Sequence, residues 1–264
     1  MKLIFSEYNS DYDNYQFSYC IWALPEKGES IASIFASGYL PSSSNPIRYY
    51  LSRSLRISCN DFNLSSENRR ILNKNEQISI KLIKKEELPV NEKLISMCLH
   101  SATERFGIDV MSRIRLLNLL SSTHTSHFLT YHMQDELVGI VTCFSDGCNV
   151  LHYNFSFFQS KTKVSLNNMA IFMMTKAVYF LKQNKFNHIY LGTIYSRKAK
   201  YKLQFSGLEF FNGRKWCKEL EELKFLIKRD EDSHKHHLLE DPEYVNTFLD
   251  GDLNNIEKEK YNET

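Results

Sequence analysis

FLTYHMQDELVGIVTCFSDGCNVLHYNFSFF, residues 128–158, is the stretch from which the fold is assigned. It holds three apolar-rich runs, Phe128–Met133, Leu137–Phe144 and Val150–Phe158, each of strand length and strand texture. Gln134-Asp135 and Asp146-Gly147 separate them, and these residue types accept the backbone angles of a tight reversal. Three consecutive antiparallel strands are expected. Upstream, Ile78, Ile80 and Leu82 alternate as a strand, Val90–Phe106 reads as an amphipathic helix, and Val110–Leu120 as a second helix. Downstream, Met169–Leu181 has helical periodicity and Ile189–Gly192 reads as a short buried strand. Tyr201–Phe205 lies in a helix or tight connection, and Leu208–Gly213 is a further strand and turn.

The order strand, two helices, three antiparallel strands, long helix, strand, helix, strand is α+β and of the acetyltransferase-like (GNAT) type. A smaller N-terminal α/β region, residues 1–72, is expected to precede it. There residues 13–24 read as a strand, Glu29–Ser37 as a helix stopping at Gly38, and Arg48–Ser58 as an extended segment. Leu64–Arg70 looks like a capped helix start. The transferase-like domain is assigned to 73–229 and an acidic tail to 230–264. No internal repeat is evident.

With 264 residues, 42% hydrophobic and 24% charged, the chain can bury a sizeable core. No apolar run approaches 18 residues, which argues against a membrane span, and the first seven residues turn polar, unlike a secretory signal. The six cysteines form no C-x-x-C pair, so neither a zinc knuckle nor a disulfide framework is expected. Reduced thiols in a cytoplasmic protein, with no metal, is the resulting expectation. The formal charge of +2 conceals an asymmetry. Residues 230–264 hold eleven acids against three lysines, a balance of −8, which leaves +10 on the rest. A basic body suits an anionic partner such as nucleic acid or a phosphorylated cofactor. The tail is expected to be a solvated extension.

If the fold is used for acetyl transfer, a glycine-bearing loop at the start of the long helix should cradle a pyrophosphate. The loop here, Gln159–Leu166, contains Lys161 and Lys163 but no glycine. Tyr190–Lys202 is the most distinctive stretch, with Arg197, Lys198, Lys200 and Lys202 set among three tyrosines. Interleaved cations and aromatics suit a nucleic-acid end, although a basic loop with core tyrosines has the same composition. His124 and His127 read as an exposed pair at a turn; His234, His236 and His237 fall in the acidic tail; His152 sits on a central strand as pocket or core residue. There is no G-x-S-x-G, Walker loop or H-E-x-x-H.

Tyr190-Leu191-Gly192, then Lys200-Tyr201-Lys202, Phe205, Glu209, Asn212-Gly213 and Trp216, resembles the C-terminal signature of the arginyl- and leucyl-tRNA–protein transferases. Phe157-Phe158-Gln159-Ser160 followed by Ser165–Ile171 is similar to that family's aromatic strand and helix start. Arg53–Ile57, Phe62 and Ser65–Arg70 resemble its arginine-bearing strand and basic helix. The likeness is scattered over residues 38–216. The family's cysteine pairs are missing: Tyr49–Ser54 stands where a Cys-x-x-Cys is usual, Gln159 replaces an acid, and Asn167 a glycine.

The resemblance implies attack by an acceptor amine on the ester joining an amino acid, arginine or leucine, to the 3′ adenosine of its tRNA. The acceptor is a protein or peptide N-terminus. Aminoacyl-tRNA is the co-substrate, and neither a further cofactor nor a membrane is implied. On that basis Lys198, Lys200 and Lys202, with Arg53 and Arg56, meet the tRNA end. Tyr190, Tyr201, Tyr153 and Phe157 belong to the aminoacyl pocket, Gly192 is a further substrate-binding position, Tyr201 also transfers a proton, and Tyr153 joins it as a catalytic candidate. An acyl-CoA-dependent N-acyltransferase and a non-catalytic RNA- or protein-binding module stand as alternatives on the same fold.

Overall fold

A computed structural model describes residues 1–13, 16–42, 47–159, 168–195, 197–231 and 237–257. The chain begins with a hairpin of β1 (Lys2–Asp11) and β2 (Gln16–Leu24). A short helix, α1 (Ile31–Ala36), follows. It is started by Ser30, whose hydroxyl accepts from the Ser33 amide, and stopped where Gly38 takes φ +86°. β3 (Tyr39–Pro41) and β4 (Tyr49–Leu51) then complete a four-stranded sheet in the order β1-β2-β4-β3. The sequence predicts one strand over 13–24 and misses β1. The reason is physical: β1 is exposed on both faces, so it carries no alternation to read.

Arg48–Ser58, read as one extended segment, is two strands in two sheets. β4 stays in the small sheet, while β5 (Ser54–Ser58) enters the large one. Next come α2 (Ser66–Lys74), closed by a Ser65/Asn68 capping box, and β6 (Ile78–Lys84). They are followed by α3 (Glu92–Phe106), capped by Asn91, and α4 (Arg113–Ser121), capped by Ser112. β7 (His127–Met133) and β8 (Glu136–Ser145) are joined through Gln134 and Asp135, both at positive φ, the geometry of a two-residue hairpin turn. β9 (Val150–Phe158), α5 (Met169–Gln183) and β10 (His188–Thr193) form the crossover unit. A 3-10 helix over Arg197–Gln204 leads to β11 (Leu208–Phe211), β12 (Trp216–Cys217), α6 (Leu220–Glu231) and α7 (Pro242–Leu249).

The large sheet runs β12-β11-β5-β10-β9-β8-β7-β6, and among the described residues only β9 and β10 pair parallel. α5 makes the crossover between them and buries Phe172, Met173, Val178 and Leu181 against one face; Tyr131 donates its hydroxyl to the Met173 carbonyl at 2.6 Å. α3 and α4 cover the other face over Phe128, Ile140 and Phe157. Beside them Phe35 of α1, with Leu40 and Tyr49 of the small sheet, closes over Val150 and Tyr190. This is the acetyltransferase-like α+β fold expected from the element order, with β5 inserted between β10 and β11.

The acidic segment differs from the solvated extension expected. α7 docks on the core, burying Tyr244 and Leu249, and the Tyr244 hydroxyl donates to Glu222 Oε1 at 2.7 Å. The charge pattern hides this because its apolar residues, Tyr244, Val245, Phe248 and Leu249, are spaced for one helix face within an acidic run.

Candidate functional site

β9 and β10 pair only over Val150–His152 and His188–Tyr190, then part. The cause lies in β10. Gly192 takes φ +77°, a left-handed angle that side-chain-bearing residues resist, and the register with β5 slips between Tyr190 and Thr193. β9 is also irregular. One extra residue bulges between Tyr153 and Ser156, so Tyr153 faces the α5 side while Phe155 and Phe157 face α3. The strands therefore open as a fork with unpaired backbone on both inner edges.

Two cations occupy those edges. Lys202, from the 3-10 helix, donates to the carbonyls of Leu191 at 2.7 Å and Thr193 at 3.2 Å. Arg105, in the last turn of α3, donates to the Ser156 carbonyl at 2.6 Å and its hydroxyl at 3.2 Å, and lies against the rings of Phe106 and Phe158. Among the described residues neither has a carboxylate partner. Burial pushes the Lys202 ammonium down to about 8 and lowers Arg105 as well. An ammonium has three donors, and two are spent on carbonyls. Among the described residues the third has no hydrogen-bond partner.

Tyr153 and Tyr201 flank Arg105 electrostatically. Tyr153 is buried, its hydroxyl has no hydrogen-bond partner of good geometry among the described residues, and burial raises its pKa. Tyr201 is 43% exposed, and burial of its phenol end also raises its pKa. Behind the fork lies His152, packed edge-on to Phe35, its Nδ1 without a partner among the described residues. Burial, then His124 and Lys202, push it down to about 3, so it is neutral at physiological pH.

His124 is the residue that sequence reasoning undervalued. It is half-buried, not exposed: its Nδ1 lies 3.3 Å from the Tyr49 hydroxyl, and its Nε2 is buried without a partner among the described residues. Burial lowers its pKa, which favours the neutral, proton-accepting ring. It lines a cavity of about 530 Å³ together with Met111, Ile114, Asn154 and Phe155. His127 is also half-buried, with Nδ1 2.9 Å from the Ser126 hydroxyl.

The sequence-predicted residues divide into three groups. Gly192, Tyr153, Tyr201 and Lys202 meet at the fork, and Lys198 and Lys200 stand exposed on the same 3-10 helix. Arg56, Tyr190 and Phe157 are packing residues: the Arg56 Nε donates to Glu209 at 2.5 Å with its guanidinium 4.1 Å above Trp216, while Tyr190 and Phe157 are fully buried. Arg53 is tied to Asp230 at 2.6 Å and lies over the Tyr195 ring. Arg105 escaped the sequence reading because an arginine in the last turn of an amphipathic helix looks like an ordinary exposed cation. Lys161, Lys163, His234 and His236 lie outside the described residues. His237 accepts from the Leu239 amide at the start of a 3-10 turn. Among the described residues no three His, Cys, Asp or Glu side chains converge as a metal site, and no helix is long and apolar enough to cross a membrane.

No protein-family profile matches the chain, and no curated protein matches it. Solved structures do. The C-terminal domain of a protein named as a lysylphosphatidylglycerol synthetase, from Agrobacterium fabrum, is 9% identical over 54% of this chain, with a TM-score of 0.40. L-PGS from Bacillus licheniformis is 10% identical over 54%, with a TM-score of 0.39. In both, the match spans 46% of the solved chain, less than half its length. A possible acetyltransferase from Clostridium difficile 630 is 16% identical over 41% of this chain and 74% of its own, with a TM-score of 0.28.

Proposed function

We propose that this chain is an aminoacyltransferase that moves an amino acid from the 3′ end of a charged tRNA to an acceptor amine, at the β9/β10 fork. Arginine or leucine is the amino acid carried, a protein or peptide N-terminus the acceptor, and the cytoplasm the setting. No cofactor beyond the charged tRNA takes part. The observation that carries the reading is Lys202, a buried ammonium held by two carbonyls, without a carboxylate, and with one donor to spare. A buried charge of that kind calls for a negative partner, and a developing oxyanion at an ester carbonyl supplies one.

The remaining groups fit aminolysis of an ester. The acceptor amine enters from the His124 cavity and gives its proton to the free Nε2, and the Tyr49 hydroxyl fixes the ring. Nitrogen then bonds to the carbonyl carbon, negative charge grows on the carbonyl oxygen beside Lys202, and the ester C–O bond breaks. The ribose oxygen leaves with a proton from the phenol of Tyr201, and the proton shed by the new amide nitrogen restores that phenol through solvent. Because the ester is already activated, placing the two substrates accounts for most of the acceleration. Lys198 and Lys200, exposed at the mouth, meet the phosphates of the acceptor end.

The acyl-CoA alternative is less well supported. The loop over residues 159–166, which should cradle a pyrophosphate at the start of the long helix, carries no glycine. The test offers labelled arginyl-tRNA and leucyl-tRNA to peptides with free N-termini. Label in the peptide is expected. Salt-sensitive tRNA binding without product from either donor rejects transfer and leaves a binding module.

A further inference from the structure

The cavity that holds His124 is selective in what it offers a ligand. It measures about 530 Å³, within the range of small-ligand sites. α4 supplies Ile114, Arg115 and Leu119 to its wall, the turn before α4 supplies Met111, and β9 supplies Asn154 and Phe155. Asn154 and Phe155 lie within the β9 bulge, next to Ser156, whose carbonyl Arg105 holds. The cavity therefore backs onto the fork.

Three of its hydroxyls are spent on the backbone. Ser112 accepts from the Arg115 amide, Ser122 accepts from the His124 amide, and Thr125 donates to the Leu119 carbonyl. Apolar wall is what remains in greatest supply. Met111 is buried, Leu119 and Phe155 are half-buried, and Ile114 is 73% exposed at the mouth. Outside it, Ile108 is 77% exposed and Val110 is exposed too, with the Val110 carbonyl accepting from Arg115 of the wall. Single exposed apolar residues are ordinary, but a run of them leading into an apolar cavity marks a binding groove. Charge narrows the ligand further. Among the described residues no Asp, Glu or Lys lines the cavity, and Arg115 lines it without a carboxylate partner. A basic side chain entering there meets a like charge and no acid.

We propose that the His124 cavity selects the acceptor by its first side chain, taking amines whose N-terminal residue is apolar and rejecting those whose N-terminal residue is basic. The inference rests on the transfer reading above and adds the acceptor's chemistry to it. The apolar side chain packs against Met111, Leu119 and Phe155, with Ile114 over it at the mouth. The amino group then lies beside His124, and the rest of the peptide leaves past Val110 and Ile108.

The experiment uses the full chain and peptides identical except for the first residue, Leu, Phe, Ser, Glu or Lys, each carrying a fluorophore at its C-terminus. Affinity is read by anisotropy without tRNA, and transfer from charged tRNA is read separately. The Leu and Phe peptides are expected to bind at least about tenfold more tightly than the Lys peptide, the effect of burying one apolar side chain. Ile114→Asp, at an exposed position where circular dichroism checks folding, removes that preference, and Ile114→Val keeps it. Arg115→Glu admits the Lys peptide. The same preference in binding, with no transfer from any charged tRNA, rejects the transfer reading and upholds the selectivity of the cavity. Affinities indifferent to the first residue, a preference for Lys, or no peptide binding overturn the inference even where transfer occurs. Capture of phosphatidylethanolamine vesicles in place of every peptide overturns it as well.

Discussion

Among the described residues Lys202 carries its charge beside two carbonyls and no carboxylate, a costly arrangement unless a ligand completes it. From sequence it reads as one of three equivalent phosphate-binding lysines. Burial separates it from Lys198 and Lys200, and that separation depends on which side of one 3-10 turn faces the fork. If the ammonium stabilises the oxyanion, transfer slows on the alkaline side as Lys202 loses its proton through about 8. Initial rates, corrected for spontaneous ester hydrolysis, should fall between neutrality and pH 9; rates still climbing there contradict this role. His152 supplies a stability test. Its pKa falls from 6.5 in the unfolded chain to about 3 when folded, so the unfolded chain takes up the proton first. Its contribution is present above pH 6.5 and lost as pH falls toward 3. Denaturant melts across that window should show this decline, and His152→Phe should flatten it.

Among the elements, Gly192 decides whether β9 and β10 part. Valine there must hold a left-handed angle, at a cost of about 1–3 kcal/mol. Gly192→Val should therefore lower the melting temperature and abolish transfer together, and a variant of unchanged stability and activity contradicts the account of the fork. Gly192 was singled out in sequence by its place in a motif, but nothing there showed that it ends the pairing. Other elements were legible for a clear reason. The strands of residues 127–158 alternate or run apolar, and their turns contain Gln134-Asp135 and Asp146-Gly147, so local chemistry alone marks them. β5 was read as extended, but its place between β10 and β11 depends on pairing partners 130 or more residues away. The bulge in β9, which turns Tyr153 and Phe157 to opposite faces, has no glycine or proline to announce it.

At the scale of the whole molecule, the charge asymmetry acts at short range. The start of the acidic segment is drawn onto the basic turn by Arg53–Asp230 and Arg197–Glu231, leaving Lys198 and Lys200 as the exposed cations beside the fork. Replacing both by glutamate should weaken tRNA binding and reduce the slope of log affinity against log salt by about 0.7–0.9 per lysine. Fluorescence anisotropy at a series of salt concentrations measures this, and an unchanged slope moves the RNA contact elsewhere. Chemistry and RNA binding are separable on this layout, because Lys202 faces inward and Lys198 and Lys200 face outward. The most direct measurement follows from that separation: single-turnover transfer from labelled arginyl- and leucyl-tRNA to a peptide amine, comparing the unaltered chain with Lys202→Met, with labelled acetyl-CoA alongside. The account predicts label from a charged tRNA, none from acetyl-CoA, and a loss of at least about a hundredfold in rate for Lys202→Met with tRNA affinity retained. Label from acetyl-CoA alone, or full transfer by Lys202→Met, contradicts it.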